Sequence, residues 1–208
     1  MPNPYFRFKQ FTVWHDRCAM KVGTDSVLLG AWADVSGVNR ILDVGTGTGL
    51  MALMLAQRSA AIIDAIEPDY EAYLQAGENI SRSPWSERVL LYNTTLQEFQ
   101  EYDMVEKNGP FYDLLVTNPP YFSRSEKAPD KRRMLSRHTD SLNSNDLLNG
   151  AEKLLTENGK LCLILPAREA KLFIEMATAI PLFCTRELNI KPLPDREIKR
   201  VLLTLERK

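Results

Sequence analysis

The sequence predicts an α/β fold in which a mostly parallel β-sheet is covered by helices on both faces. From Arg40 onward, short apolar runs alternate with segments of helical spacing. The apolar runs are nearly continuous, which is typical of strands buried on both faces. Two strand-like runs follow one another near the C-terminus and indicate an antiparallel hairpin at one edge of the sheet.

The predicted strands are short apolar runs that end at glycine, proline or polar residues. Five of them cover residues 40–45, 60–68, 88–93, 112–120 and 160–166, and residues 184–208 add two strands around a Pro/Asp turn. In such sheets ligands bind beyond the carboxyl ends of the strands, so the residues after each run are candidates for a site.

The predicted helices lie between these strands and carry recognisable ends. They cover residues 50–58, 69–83, 144–159 and 167–180. Asp69 is expected to cap the second helix, an Asn or Ser to open the third, and Gly159 to end it.

Composition limits the classes of protein that the chain can belong to. With 208 residues, 44% hydrophobic and 25% charged, the chain is predicted to form a single domain, 1–208, with an N-terminal segment 1–39 and a core 40–208. A net charge of -1 excludes a global field that attracts nucleic acid. The three cysteines, Cys18, Cys162 and Cys184, are not spaced as metal ligands, so we expect no metal site. The sequence contains no run of 18 apolar residues and no signal peptide, so we expect a cytoplasmic protein without membrane contact.

A glycine-rich loop follows the first core strand in the sequence DVGTGTGL. It contains Asp43, Gly45, Gly47 and Gly49, whereas a dinucleotide fingerprint would need glycine in place of Leu50. Glycines allow close approach of a ligand, and the following helix N-terminus favours a negative group. Asp43 is suited to bind an ammonium group, so the loop as a whole fits a ligand with an α-amino group and a carboxylate. If the loop is considered by itself, the alternative is a tight strand–helix turn that binds no ligand.

Glu67, at the tip of the second core strand, extends this interpretation. Its carboxylate can accept hydrogen bonds from both ribose hydroxyls. A ligand with an amino-acid end and a ribose end is S-adenosylmethionine. At the third strand tip Thr94, Thr95 or a backbone carbonyl is expected to bind its adenine, since no acid stands there.

The stretch NPPY, residues 118–121, follows the fourth core strand and predicts a stiff, extended turn. The Asn118 side-chain oxygen and the Pro119 carbonyl can accept hydrogen bonds from the two N–H groups of a planar amine. The lone pair of the amine nitrogen then points toward a methyl group. Tyr121 can stack on the ring, with Phe122 beside it, and Pro120 keeps the turn rigid. A proline-rich turn that merely closes a strand is the alternative.

Together, DVGTGTG, IEPD and NPPY resemble S-adenosylmethionine-dependent methyltransferases that modify amino nitrogens. Residues 11–33, FTVWHDRCAMKVGTDSVLLGAWA, are similar to the N-terminal segment of the bacterial tRNA(Val) adenine-N6 methyltransferase family. The resemblance implies a Rossmann-like class I fold with a seven-stranded sheet and one antiparallel strand. It also implies methylation of adenine 37, next to the anticodon of tRNA(Val), with S-adenosylhomocysteine as the product.

The resemblance also assigns residues to the site. It makes Asn118, Pro119, Pro120 and Tyr121 catalytic. It assigns cofactor binding to the segment KVGTDS, with a helix start that Thr24 or Asp25 could cap, and to three strand tips: Lys21, Gly23, Thr24, Asp25, Asp43, Gly45, Gly47, Gly49, Glu67 and Asn118. Thr94 and Thr95 are predicted cofactor contacts from their position alone, since the family pattern usually has an acid there.

A basic stretch directly after NPPY is expected to hold RNA. With Phe122, its predicted substrate contacts are Arg124, Lys127, Lys131, Arg132, Arg133 and Arg137, although a solvated charged loop is the alternative. A second cluster near the final hairpin contains Lys191, Arg196, Lys199 and Arg200. Because Asp195 and Glu197 dilute it, we expect only a solvated surface there.

Three other functions share parts of this pattern. The same NPPY chemistry would serve N-methylation of another RNA base or of a protein glutamine, and a non-catalytic RNA-binding module could keep the fold. The intact NPPY argues against the last, and the short N-terminal part argues against the glutamine methyltransferases, which usually carry an extra helical domain. The sequence does not indicate an oligomeric state.

Overall fold

The computed structural model describes residues 3–18, 20–101, 111–120 and 142–207. Its strands are β1 (Tyr5–Arg7), β2 (Thr12–Trp14), β3 (Arg40–Val44), β4 (Ile62–Ile66), β5 (Val89–Tyr92), β6 (Tyr112–Thr117), β7 (Leu155–Pro166), β8 (Leu182–Ile190) and β9 (Arg200–Arg207). Its helices are α1 (Thr24–Trp32), α2 (Leu50–Arg58), α3 (Tyr70–Ser81), α4 (Leu96–Phe99), α5 (Ser144–Leu154) and α6 (Ala167–Ala177), with a 3₁₀ turn at Ser86–Arg88.

Within the described ranges, β3 to β9 form a seven-stranded sheet in the order β5-β4-β3-β6-β7-β9-β8. The strand pairs from β5 to β7 are parallel, and β9 runs antiparallel to both of its neighbours. This confirms the predicted mostly parallel sheet with one antiparallel strand and a hairpin at one edge.

The chain reverses its direction of winding at β3, and this switch point positions the site. From β3 the chain moves outward to β4 and β5, and it then returns to place β6 on the other side of β3. The register pairs Val44 with Thr117. The glycine loop and the Asn118 turn therefore leave the sheet side by side, at the position where such folds bind ligands.

Two apolar layers lie on opposite faces of the sheet, because successive residues of each strand point to opposite sides. Ile41 and Leu114 pack with α1, α2 and α3, whereas Leu42 and Leu115 pack with α4, α5 and α6. All four side chains are fully buried. Burial of each such side chain stabilises the fold by about 1.5–3 kcal/mol, so the strand tips stand on a rigid base.

The predicted helix starts are confirmed by two side-chain caps. Asp69 accepts a hydrogen bond of 2.8 Å from the Ala72 amide and caps α3. Asn143 caps α5 in a reciprocal capping box with Asp146. Each cap contributes about 1 kcal/mol.

The predicted end of the third helix was wrong. Helix α5 ends at Leu154, five residues before Gly159. Leu155 is fully buried and pairs with Tyr112, while the Phe111 amide donates to the Leu154 carbonyl. Because Leu155 pairs with β6, the chain is already extended from Leu155 onward, and the helix ends before Gly159.

The N-terminal part forms a hairpin that is attached to α3 by Asn79. Strands β1 and β2 pair antiparallel. The buried Asn79 side chain accepts a hydrogen bond from the Trp14 amide, at 2.9 Å, and donates to the carbonyls of Trp14 and Thr48, at 2.8 and 2.9 Å. One amide thus connects β2, α3 and the glycine loop. No helix in the described part of the chain is long and apolar enough to cross a membrane.

Candidate active site

The loop between β3 and α2 has a backbone conformation that requires glycine. Gly45, Gly47 and Gly49 have φ angles of 70°, 58° and 78°, and the described chain places no other residue type at positive φ. A Cβ at Gly45 or Gly47 would meet no atom within 4 Å. Glycine is therefore needed there for the left-handed backbone, which costs other residues about 1–2 kcal/mol, and the space above the loop is open to a ligand.

Hydrogen bonds to the next strand hold this loop. The amides of Gly45 and Thr46 both donate to the Ile66 carbonyl, each at 3.0 Å. The Gly47 amide donates to Glu67 Oε2 at 2.8 Å. The loop is thus fixed by β4 before any ligand arrives.

Asp43 is a fully buried carboxylate at the base of the loop. Its Oδ2 accepts hydrogen bonds from Thr46 Oγ1 at 2.6 Å and from the Ala52 amide at 3.0 Å. Its Oδ1 is buried and has no hydrogen-bond partner among the described residues. Burial raises the pKa of Asp43 to about 7. A ligand ammonium group would satisfy this oxygen and favour the ionised form.

Glu67 is a second buried carboxylate, 8% exposed, and it lies across the loop from Asp43. Its Oε1 accepts from the Asp69 amide at 3.0 Å, and its Oε2 accepts from the Gly47 amide at 2.8 Å. Burial raises its pKa above the ordinary value. Because each carboxylate oxygen can accept a further hydrogen bond, Glu67 can receive two hydroxyl groups in a fixed orientation.

Thr94 and Thr95, predicted to bind adenine, are engaged in a structural contact. Thr95 caps α4 in a capping box with Glu98, and Thr94 Oγ1 donates to Glu98 Oε2 at 3.2 Å. An acid does therefore stand beside this strand tip, although sequence reasoning missed Glu98. The signal was the T-x-x-E spacing of a capping box. Adenine binding by Thr94 or Thr95 stays a prediction.

The Asn118 turn emerges from β6 beside the glycine loop. Thr117 Oγ1 donates to the Val44 carbonyl at 2.8 Å, which ties the two strand tips together. Asn118 Nδ2 donates to Ser26 Oγ at 2.9 Å. This contact uses the donor side of the amide, so the acceptor oxygen is the atom that Asn118 can present to a substrate amine. Pro119 is buried and Pro120 is exposed.

Ser26 is a site residue that sequence reasoning missed. It lies in the first turn of α1 and reaches Asn118 across 92 residues of sequence. The expected cap by Thr24 or Asp25 was wrong, because the N-cap of α1 is Gly23, without a side-chain bond. Asp25 instead accepts from Arg200 Nε at 2.8 Å. No local pattern in the sequence predicts either long-range contact.

The remaining predicted site residues divide into two groups. Lys21 is exposed just before α1, and Gly23 is the N-cap of that helix. The second group lies outside the described residues and consists of Tyr121, Phe122, Arg124, Lys127, Lys131, Arg132, Arg133 and Arg137. In the part of the chain that the structure describes, no group of three or more His, Cys, Asp and Glu side chains could hold a metal ion.

Comparison with known proteins places this geometry in a family. The methyltransferase small domain family matches residues 18–174. The tRNA1(Val) (adenine(37)-N6)-methyltransferase of Parabacteroides distasonis is 53% identical over 99% of this chain and 84% of its own length. The enzyme of the same name from Trichodesmium erythraeum is 52% identical over 100% and 86%.

This chain belongs to that methyltransferase family. The geometry of the site agrees with this family membership. Around one switch point, the structure brings together a glycine loop, a buried acid at the next strand tip and an Asn-Pro-Pro turn. The family relationship extends over almost the whole chain, including the α1 segment that contributes Ser26.

Solved structures share the fold of this methyltransferase at low sequence identity. A predicted O-methyltransferase from Agrobacterium tumefaciens has a TM-score of 0.67 and 20% identity, covering 88% of this chain and 81% of its own. Pyrococcus horikoshii TYW2 in complex with MeSAdo has a TM-score of 0.66 and 17% identity, covering 97% and 70%. The Rossmann-like methyltransferase fold is thereby confirmed.

Proposed function

We propose that this methyltransferase transfers the methyl group of S-adenosylmethionine to N6 of adenine 37 in tRNA1(Val). The observation that carries the proposal is the position of Asn118, whose amide is oriented by Ser26 and stands beside the glycine loop. Two relatives that are 52–53% identical carry this activity in their names. The domain is proposed to be the whole of residues 1–208, acting in the cytoplasm.

The cofactor half of the proposal rests on three chemical matches. Asp43 Oδ1, which has no hydrogen-bond partner among the residues that the structure describes, suits the ammonium group of S-adenosylmethionine. The open, left-handed backbone at Gly45 and Gly47 suits close approach of its amino-acid end. Glu67 suits the ribose hydroxyls. When bound, this cofactor supplies an electrophilic methyl group, and S-adenosylhomocysteine is its product.

The target half of the proposal rests on hydrogen-bond acceptors. The Asn118 side-chain oxygen and the Pro119 carbonyl would accept the two hydrogens of the adenine amine. These bonds favour a pyramidal nitrogen, whose lone pair then becomes available for attack. No strong base is required, because the proton leaves after transfer, once the nitrogen is cationic. The main contribution of the protein is then the alignment of nitrogen and methyl carbon.

RNA binding completes the proposal with residues outside the described ranges. A base in the anticodon loop must leave its stack to reach Asn118. Tyr121 and Phe122 are proposed to receive it, since stacking on an aromatic ring contributes ~1–3 kcal/mol per base. Arg124, Lys127, Lys131, Arg132, Arg133 and Arg137 are proposed to contact phosphates.

The test is methylation of defined RNA in vitro. The protein is incubated with labelled S-adenosylmethionine and a tRNA1(Val) transcript, and the digested nucleosides are identified. A second transcript with guanine in place of adenine 37 is the matched control. We expect N6-methyladenosine in the first transcript and none in the second. Label in a different base, or in protein glutamine with unlabelled RNA, would refute the proposal.

A further inference from the structure

The loop between β8 and β9, residues 191–199, stands at the same edge of the sheet as the site. Because β9 is antiparallel, its first residues lie at the carboxyl ends of the parallel strands. The register pairs Arg200 with Pro166, the last residue of β7, and with Ile190, the last residue of β8. The sequence alone suggested only a solvated surface here, but its position gives it access to whatever occupies the Asn118 turn.

The loop presents basic side chains to solvent. Lys191, Arg196 and Lys199 are exposed, and no ion pair to them is found among the described residues. Asp195 and Glu197 reduce the net charge of the loop, but they are likewise not paired with these cations. Each cation is therefore available for a local contact with an anion, and a high net charge is not required.

The base of the loop is fixed to the helix that orients Asn118. Arg200 Nε donates to Asp25 Oδ2 at 2.8 Å, and the next residue, Ser26, accepts from Asn118 at 2.9 Å. One helical turn thus connects the loop to the catalytic amide. These contacts fix the base of the loop relative to the Asn118 turn.

The loop itself is restrained, which lowers the entropy lost when it binds a partner. The Lys199 amide donates to the Ile190 carbonyl at 2.9 Å, and the Arg196 amide donates to the Leu193 carbonyl at 3.1 Å. Pro192 and Pro194 limit the backbone on either side of Leu193. A restrained basic loop binds phosphates with less ordering than a flexible tail would need.

We propose that the 191–199 loop binds backbone phosphates of the tRNA whose base enters the Asn118 turn. The proposal rests on the proposed function for the identity of the RNA. A nucleic acid fits better than an acidic protein, because a base held at Asn118 brings its flanking phosphates to this edge of the sheet. Lys191 and Arg196 are the principal contacts, and Lys199 supports them.

The test compares two double variants that remove the same charge. Lys191→Gln with Arg196→Gln alters the loop, whereas Lys153→Gln with Lys171→Gln alters exposed lysines on α5 and α6. Affinity for tRNA1(Val) is measured at several salt concentrations. Each lost phosphate contact lowers the slope of log affinity against log salt by roughly 0.7–0.9, so the loop variant, which loses two contacts, should lose about 1.4 to 1.8 from its slope.

The outcomes separate this proposal from the proposed function. The loop variant should bind tRNA more weakly, with its KM for tRNA raised, while kcat at saturating tRNA and cofactor affinity stay unchanged. Equal affinity and slope for the loop variant and the control would overturn the proposal. Binding of tRNA is measured without catalysis. A wild-type protein that fails to methylate tRNA1(Val) would therefore refute the proposed function, whereas the comparison of tRNA affinity between the loop variant and the control variant would still test this proposal.

Discussion

The two halves of the candidate site are held by different kinds of contact. The glycine loop is fixed by backbone amides that donate to Ile66 and Glu67, about 20 residues away along the chain. The Asn118 amide is instead oriented by Ser26, which lies 92 residues away on α1. The cofactor half is therefore a product of one β–α–β unit, whereas the target half depends on how the N-terminal segment packs on the sheet.

The two halves also differ in their electrostatics. Asp43 and Glu67 are buried acids whose pKa values are both raised by burial. Asn118 and Ser26 are neutral at all ordinary pH values. We therefore expect pH to alter cofactor binding through Asp43, and to leave the hydrogen bonds of Asn118 intact.

Replacing Asn118 should break the target half alone, and with the largest effect. Asn118→Ala would remove the acceptor proposed to act on the reacting amine, so kcat should fall by about 10²–10³-fold, as for the loss of one preorganised hydrogen bond in other enzymes. Cofactor affinity should change little, because Asp43 and Glu67 are untouched. Single-turnover methylation and cofactor titration measure the two quantities.

The matched control for this change is Asn118→Asp, which keeps acceptor oxygens at the same position. It should retain more turnover than Asn118→Ala. Full turnover in Asn118→Ala would remove this residue from the catalytic role.

Replacing Asp43 should affect the cofactor half in the same selective way. Asp43→Asn would remove the proposed charge-assisted hydrogen bond to the cofactor ammonium group, worth about 1.5–3 kcal/mol, so cofactor affinity should fall by roughly 10–100-fold. In the wild type, affinity should decline as pH falls below about 7, because Asp43 becomes protonated. In the variant this decline should disappear. Calorimetric titration from pH 5.5 to about 8.5 checks both.

Glu157→Gln, which removes an exposed acid at the opposite edge, is the control. It should keep the affinity and the pH profile of the wild type. An unchanged pH profile in Asp43→Asn would show that another group is responsible.

Replacing Ser26 tests the connection between α1 and the target half, with the smallest effect. Ser26→Ala should lower kcat by about five- to tenfold, the equivalent of one hydrogen bond of about 1–1.4 kcal/mol, with cofactor affinity and the KM for tRNA unchanged. Ser26→Thr keeps the hydroxyl and should restore most of kcat. If both variants lose turnover equally, packing and not the hydrogen bond is responsible.

Sequence reasoning predicted most of the fold because each element carries its own local signal. The capped starts at Asp69 and Asn143, the apolar strands and the terminal hairpin were all visible in short windows. The end of α5 was missed because Leu155 pairs with Tyr112, a contact between distant residues that overrides the local glycine.

The site was predictable to a similar extent. The positions of Asp43, the three glycines and Glu67 beside one another were predictable because motif and strand tip coincide in sequence, while their binding role stays a prediction. Ser26 and the Asp25–Arg200 ion pair were not, since packing alone brings them together. Glu98 was overlooked although its spacing from Thr95 is typical of a capping box.

Asp43 Oδ1, which has no hydrogen-bond partner among the described residues, would link the lifetime of this methyltransferase to the supply of its proposed cofactor. A buried acid with a raised pKa favours folding at low pH, and this contribution is lost as pH rises through about 7. Near neutrality the free protein thus carries a free-energy penalty that the proposed ammonium ligand would offset, in addition to the general stabilisation by any ligand. Cells short of cofactor would hold more of the protein in forms open to proteases, and its abundance would follow the pool of methyl donor.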